Sequence, residues 1–347
     1  MKRSHAIHLA LLALGALLFY WTLQAAGWDE LAALMPEVKV WQLAALMLIY
    51  PVICSWDVAG WQLLFPASAA RRVRFGGLYA VRLAGEALNA LTPFVDIGGE
   101  FLKVHLAAGR FSIPRRAALA SVVIQRTVLF FSEIAFWIFG LFLVRRSVQA
   151  PLEWESALYG VIIACAILAA GLWLLQRNGF FVSFIRLLRL VGMRPKFFDT
   201  FHLTFEEVDR EIRHFYQGRS AQLLYSFALH FIGWVAGALE VWAMMRLIGR
   251  PVSFLEAVFI ESLFQLVKTA SFFIPGNFGA QEAGMALCMR WLGPGAAAGV
   301  AISLLKRLRQ LVWIGAGLLI WWYFKWRLVR QARVIPDESR AFTTTAP

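Results

Sequence analysis

Long apolar stretches decide what this chain can become. A helix needs about 20 mostly apolar residues to cross a bilayer, and residues 6–26, 41–64, 117–144, 157–175, 221–248 and 296–324 each come close to or exceed that length. Composition points the same way. Of 347 residues, 60% are hydrophobic and 16% charged, where soluble domains run roughly 45–50% and 25%. So much apolar surface excludes a soluble enzyme, a nucleic-acid binder and a secreted disulfide scaffold. The excess of 34 Lys and Arg over 21 Asp and Glu then reads as basic loops that set orientation and meet anionic headgroups. Cys54, Cys165 and Cys288 sit in apolar stretches at no ligand spacing, so no disulfide, metal site or cofactor is expected.

Loop charge orients the spans. Lys2 and Arg3 precede the first, Arg71, Arg72 and Arg74 follow the second, and Lys325, Arg327, Arg330 and Arg333 close the sixth. Basic residues favour the cytoplasmic side, which places both termini there. Arg145, Arg146, Arg246 and Arg250 are exceptions to this scheme. Residues 24–27, Gln-Ala-Ala-Gly, leave a cleaved first segment open.

Two further apolar segments, 76–91 and 253–274, end in breaks. The first meets Pro93, then Gly98, Gly99 and Glu100; the second meets Pro275, Gly276 and Gly279, then Gln281 and Glu282. Proline removes a backbone donor and glycine loosens the chain. Broken backbone at membrane depth survives only inside protein or beside water, so both segments are predicted to be hairpins that enter and return.

The breaks resemble each other. Each proline precedes its glutamate by seven residues, and residues 117–126 can be laid on 298–307 at an offset of 181, against 182 for the breaks. We expect one unit twice, at about 76–144 and 253–324, with inverted topology. Paired interrupted segments point to a transporter's midplane site. The predicted fold is an all-α polytopic membrane protein of about six transmembrane helices plus two re-entrant helix-break-helix hairpins in an inverted repeat. It forms one domain over 1–330, with a cytoplasmic amphipathic insert at 177–219 and a polar tail at 331–347. Within the insert, residues 180–193 read as an interfacial helix. Phe201, Phe205, Val208, Ile212 and Phe215 form one helix face, supported by Asp209 and Arg213.

Charges inside spans are costly and mark function or pairing. Arg126 and Glu133 lie on one face of the third span, too far apart along the axis to pair directly. Glu261, Gln265 and Lys268 form a stripe before the second break. Lys306, Arg307, Arg309 and Gln310 cluster in the sixth span, with more positive charge than one nearby glutamate balances. That excess favours an anionic headgroup. The candidate substrate-binding set is Arg126, Arg307, Glu100, Glu282, Lys268, Gln281 and Arg309. For Arg126 and Arg307 the alternative is simple pairing with Glu100 and Glu282, and for Lys306 and Arg309 it is snorkelling to the interface. Asp57, His230 and Glu240 stand isolated in the sequence, His230 reading as a helix-packing residue.

The same residues carry a family resemblance. The stretch Gly85-Glu86-Ala-Leu-Asn89-Ala-Leu-Thr-Pro93 through Glu100, and Ile274-Pro275-Gly276-Asn277-Phe278-Gly279-Ala-Gln281-Glu282, each followed by Arg126 or Arg307, are similar to the two blocks of the flippase-like membrane family typified by the transmembrane region of lysylphosphatidylglycerol synthases. The resemblance runs over about residues 5–330. It implies movement of a lipid or lipid-linked intermediate (anionic or aminoacylated phospholipid, hopanoid or polyprenyl-linked) across a bacterial inner membrane. It also implies membrane lipids as partners, leaves room for a separate lipid-biosynthesis enzyme as a second one, and implies no nucleic acid. An intramembrane lipid-modifying enzyme and a non-transporting accessory protein are the alternatives. No nucleotide-binding loop, metal spacing or nucleophile elbow accompanies the charges, so no enzyme activity is expected.

Overall fold

The computed structural model describes residues 16–34, 39–91, 98–145, 152–179, 182–183, 202–272 and 274–334, and their regular secondary structure is helical throughout. Among the described residues, four helices are long and apolar enough to cross a membrane: α3 (Val40–Gln62), α7 (Arg115–Arg145), α8 (Leu152–Asn178) and α10 (Ser220–Leu247). They coincide with four of the six expected spans. The first expected span begins outside the described residues and ends in α1 (Ala16–Ala26), before the short α2 (Trp28–Ala33). The sixth lies in α13 (Ala296–Val334), 39 residues long, about twice what a span requires. Its polar cluster at Lys306, Arg307, Arg309 and Gln310 sets it apart from the other four.

Between these run two shorter pairs. After α4 (Ala67–Ala70) come α5 (Phe75–Leu91) and α6 (Gly98–Phe111). The second pair is α11 (Phe254–Ala270) and α12 (Ala280–Leu292), joined through a 3-10 turn at Pro275–Asn277. The first arms are both 17 residues long and the second arms 14 and 13. Residues 92–97 of the first break, Pro93 among them, lie outside the described residues, while Gly98 and Gly99 open α6.

The long helix after each pair packs on the other pair's first arm: α7 lies along α11, and α13 along α5. Between them α3 packs on α10. Small residues let backbones approach closely in membrane bundles, and both exchanged contacts use one. A Cβ on Gly140 of α7 would land on Ser262 of α11; one on Gly317 of α13 would land on the Leu83 carbonyl and Ala87 of α5. The main apolar core, including Trp137, Met244, Ile260 and Met289, spans both halves.

Proline inside α3 is accommodated by another helix. Pro51 has no N–H, so the Met47 carbonyl four residues earlier loses its helical partner. Trp313 of α13 donates its indole N–H to that carbonyl at 3.2 Å. Ser55 and Tyr79 both donate to the Pro51 carbonyl.

The amphipathic helix of the insert is α9 (His202–Gly218), packed on α7 and α8. Val208, Ile212 and Phe215 are buried against Ala120, Ile124 and Val128, and Arg116 bonds Glu207 at 2.8 Å. Asp209 turns inward and accepts from the Val182 amide at 2.9 Å. Of the helix expected at 180–193, only residues 182–183 are described, and the tail from residue 335 lies outside the described residues.

Candidate functional site

The second break is built from three residues with left-handed backbone. Gly276 has φ 61°, Asn277 φ 52° and Gly279 φ 80°. Glycine adopts this region without steric cost, and asparagine tolerates it better than most residues. The Asn277 amide, oriented to donate, reaches the Lys268 and Ser271 carbonyls at 3.2 and 2.7 Å, tying the turn to the end of α11. On the far side Glu282, fully buried, caps its own helix by accepting from the Gly279 amide at 2.8 Å.

Arg307 closes this break. Its Nε and Nη2 both meet the Glu282 carboxylate, Nη2 also donates to the Asn277 carbonyl, and Nη1 donates to the Gly276 carbonyl at 3.2 Å. Its planar fork is thus filled by the turn it holds, and Phe278 lies under it at 5.0 Å.

The first pair carries the corresponding contact with different company. Arg126 Nη2 meets Glu100, which also takes Lys103 Nζ at 3.0 Å and the Asn89 amide at 3.1 Å. Asn89 accepts from the Gly99 amide at 2.6 Å. Lys103, nearly sealed from solvent, reaches Glu86 as well, at 2.7 Å. Gly99 crosses α5 so closely that a Cβ there would strike the Gly85 carbonyl.

Between the two halves lies a cavity of about 730 Å³, within the range of ordinary small-ligand sites. Arg126, Lys268, Gln281 and Arg309 of the candidate set line it, as do Gly276 and Asn277. Arg307, Glu282 and Glu100 lie behind the wall as supports. Lys268 is exposed and has no ion-pair partner among the described residues. Across the cavity Glu133 accepts from Thr269 at 2.9 Å.

The charge balance corrects the expected cationic excess. Among the described residues, six cations line the cavity (Arg82, Lys103, Arg126, Lys268, Lys306 and Arg309) with five carboxyl groups (Asp57, Glu86, Glu133, Glu240 and Glu261). Glu100, paired with Lys103 and Arg126, brings the carboxylates to six. Lys306 meets Glu261 at 2.7 Å and Glu240 at 3.4 Å, and Arg309 lies 3.0 Å from Glu240. Neither cation snorkels outward: Lys306 is 3% exposed and Arg309 17%. Their glutamates come from α10 and α11, remote in sequence, so counting neighbours along the chain misses them.

A further cluster also escapes linear reading. Asp57 of α3 meets Arg82 of α5, accepts from Gln125 of α7 at 3.1 Å, and lies 3.0 Å from His230 of α10. Asp57 and Glu240 are therefore not isolated. One usable signal was present: they stand 183 residues apart, close to the repeat offset.

A family model described as "Lysylphosphatidylglycerol synthase TM region" matches residues 7–318. The chain belongs to that family. It is a multi-pass membrane protein of the lysylphosphatidylglycerol synthase TM-region family, named for the membrane part of an enzyme of phospholipid metabolism. No curated protein and no solved structure matches the chain. Both breaks and the arginines that follow them fall inside the matched region.

Proposed function

We propose that the protein moves a phosphate-bearing lipid between the leaflets of a bacterial inner membrane without chemically altering it. The layout in this reading is six spans and two re-entrant pairs in an inverted repeat, with both termini in the cytoplasm. One observation carries the proposal: a cavity of about 730 Å³ with charged side chains from both halves in its wall, inside a bundle whose outer faces are apolar. Charge at membrane depth is retained where it faces a wet path or a ligand. Lys268 supplies a point charge for a phosphate and Arg126 an oriented one, with membrane lipids the only partner required.

The test is direct. Vesicles of phosphatidylcholine holding the purified protein and a tail-labelled phosphatidylglycerol are treated with membrane-impermeant dithionite. With protein, the inner-leaflet label becomes accessible; Lys268→Gln slows this about tenfold, as loss of one charge-assisted contact worth about 1.4 kcal/mol implies. Inner-leaflet label that stays protected, as in protein-free vesicles, sinks the reading. A labelled lipid whose mass changes points instead to enzyme action.

A further inference from the structure

His230 is the one ionisable group of the Asp57 cluster that the cavity wall conceals. Its side chain is 0% exposed. Gly60 of α3 makes room for the ring: a Cβ there would lie 2.9 Å from its Cε1 and Nε2. Nδ1 lies 3.0 Å from Asp57 Oδ1, off the direction a straight ring hydrogen bond requires. Neither ring nitrogen has a hydrogen-bond partner among the described residues. An unsatisfied buried polar group costs roughly 1–3 kcal/mol, and apolar residues would serve simple packing better. Asp57 itself lines the cavity, so a proton has a short route from the cavity to the ring.

Among the described residues, the ionisable groups facing His230 come from two elements. α3 contributes Asp57, and α5 contributes Arg82 on the far side of that carboxylate, with Cys54 and Tyr50 of α3 beside the guanidinium. α7 contributes the amide of Gln125. α9 turns an apolar face, Ile212 and Phe215, toward this region. Glu261 of α11 and Lys306 and Arg309 of α13 gather at Glu240 instead, about 15 Å along α10 from His230.

The charge balance gives this position its consequence. Among the described residues, with His230 neutral and every carboxylate counted as ionised, the cavity and its support carry six charges of each sign. Arg82 already neutralises Asp57, so a proton on His230 leaves one net positive charge in a low-dielectric wall. A single negative charge in the cavity compensates it. Proton binding and anion binding therefore favour each other, reciprocally. We propose that His230 is a proton site coupled to the binding of a lipid headgroup with one net negative charge, a phosphodiester, so that one proton is carried with each lipid. The proton comes from water in the cavity, rests on an imidazole nitrogen while the headgroup is bound, and returns to water when it leaves. The cargo rests on the lipid-transport reading; the coupling is measured by binding alone.

The test uses the full-length protein in detergent and dihexanoyl phosphatidylglycerol as probe, titrated from pH 5.5 to 8.5. Affinity tightens about 5- to 150-fold toward low pH, the usual span of a coupling factor, and is flat in His230→Asn and His230→Gln. Dihexanoyl phosphatidylcholine, net neutral, shows no such dependence in the unmutated protein. Binding also draws protons from a weakly buffered, dye-monitored solution of the unmutated protein, a measurement that stands even where the variants fold poorly. A flat pH profile, no proton uptake, or an unchanged slope in the His230 variants overturns the proposal. So does equal binding of glycerophosphoglycerol, which assigns the site to a soluble anion. Lipid movement in vesicles with a flat pH profile removes the coupling and leaves the transport reading standing. Coupled binding without lipid movement does the reverse.

Discussion

Arg126 and Arg307 follow their glutamates by nearly the same interval, 26 and 25 residues, yet their surroundings differ. Arg307 spends its donors on Glu282 and on the carbonyls of the turn, while Arg126 is 36% exposed and lines the cavity. Removing one partner of a buried pair costs about 3–5 kcal/mol, so Glu282→Gln, which leaves Arg307 without its counter-charge, should lower the thermal midpoint sharply in detergent. Arg307→Gln together with Glu282→Gln should recover part of that loss. Arg126→Gln should act in the opposite way, since Glu100 keeps Lys103 and Asn89. Its thermal midpoint should stay close to the parent's while lipid movement in vesicles falls at least tenfold. A comparable loss of stability in Arg126→Gln contradicts this division.

At the scale of the helix, Pro51 and Trp313 form a separable pair. Trp313→Phe removes the donor to the Met47 carbonyl and leaves a partly buried acceptor unmet, at a cost of about 1 kcal/mol. Pro51→Ala restores the missing N–H, so in that background Trp313→Phe should be nearly silent. A double-mutant cycle by thermal unfolding reads the coupling directly; additive losses would show the bond to be unimportant. This device marks where the sequence stops being legible. The start and end of α7 and α10 lie within two residues of the expected spans, because about 20 apolar residues suffice to specify a crossing. The second break is equally readable, since Pro275, Gly276 and Gly279 have few other uses in an apolar segment. Which face of α3 meets α10 is not readable. The helix is apolar on all sides, and such a helix has no stripe to orient it. For that reason Asp57 and Glu240 looked solitary along the chain, whereas their partners Arg82, Lys306 and Arg309 arrive from other helices.

For the molecule as a whole, an inverted pair of repeats demands an odd number of crossings between corresponding points. In a protein freed of its native cysteines, Met35→Cys and Ala150→Cys should react with an impermeant maleimide from outside the cell. Ala70→Cys and Ile335→Cys should react only after lysis. External labelling at position 335 excludes both the six-span layout and the inversion. The exchanged packing of α7 on α11 and α13 on α5 has a further effect, on synthesis. The first arm α5 is complete at Leu91, but the helix that covers it begins only at Ala296. At about 5–20 residues per second, that separation is roughly 10–40 s of translation. Throughout that interval Arg82 and Glu86 stand in a bundle missing one wall. The nascent chain is thus most exposed to membrane quality control before its last helix emerges, and a ribosome halted near residue 290 leaves an intermediate whose first hairpin still lacks the helix that covers it.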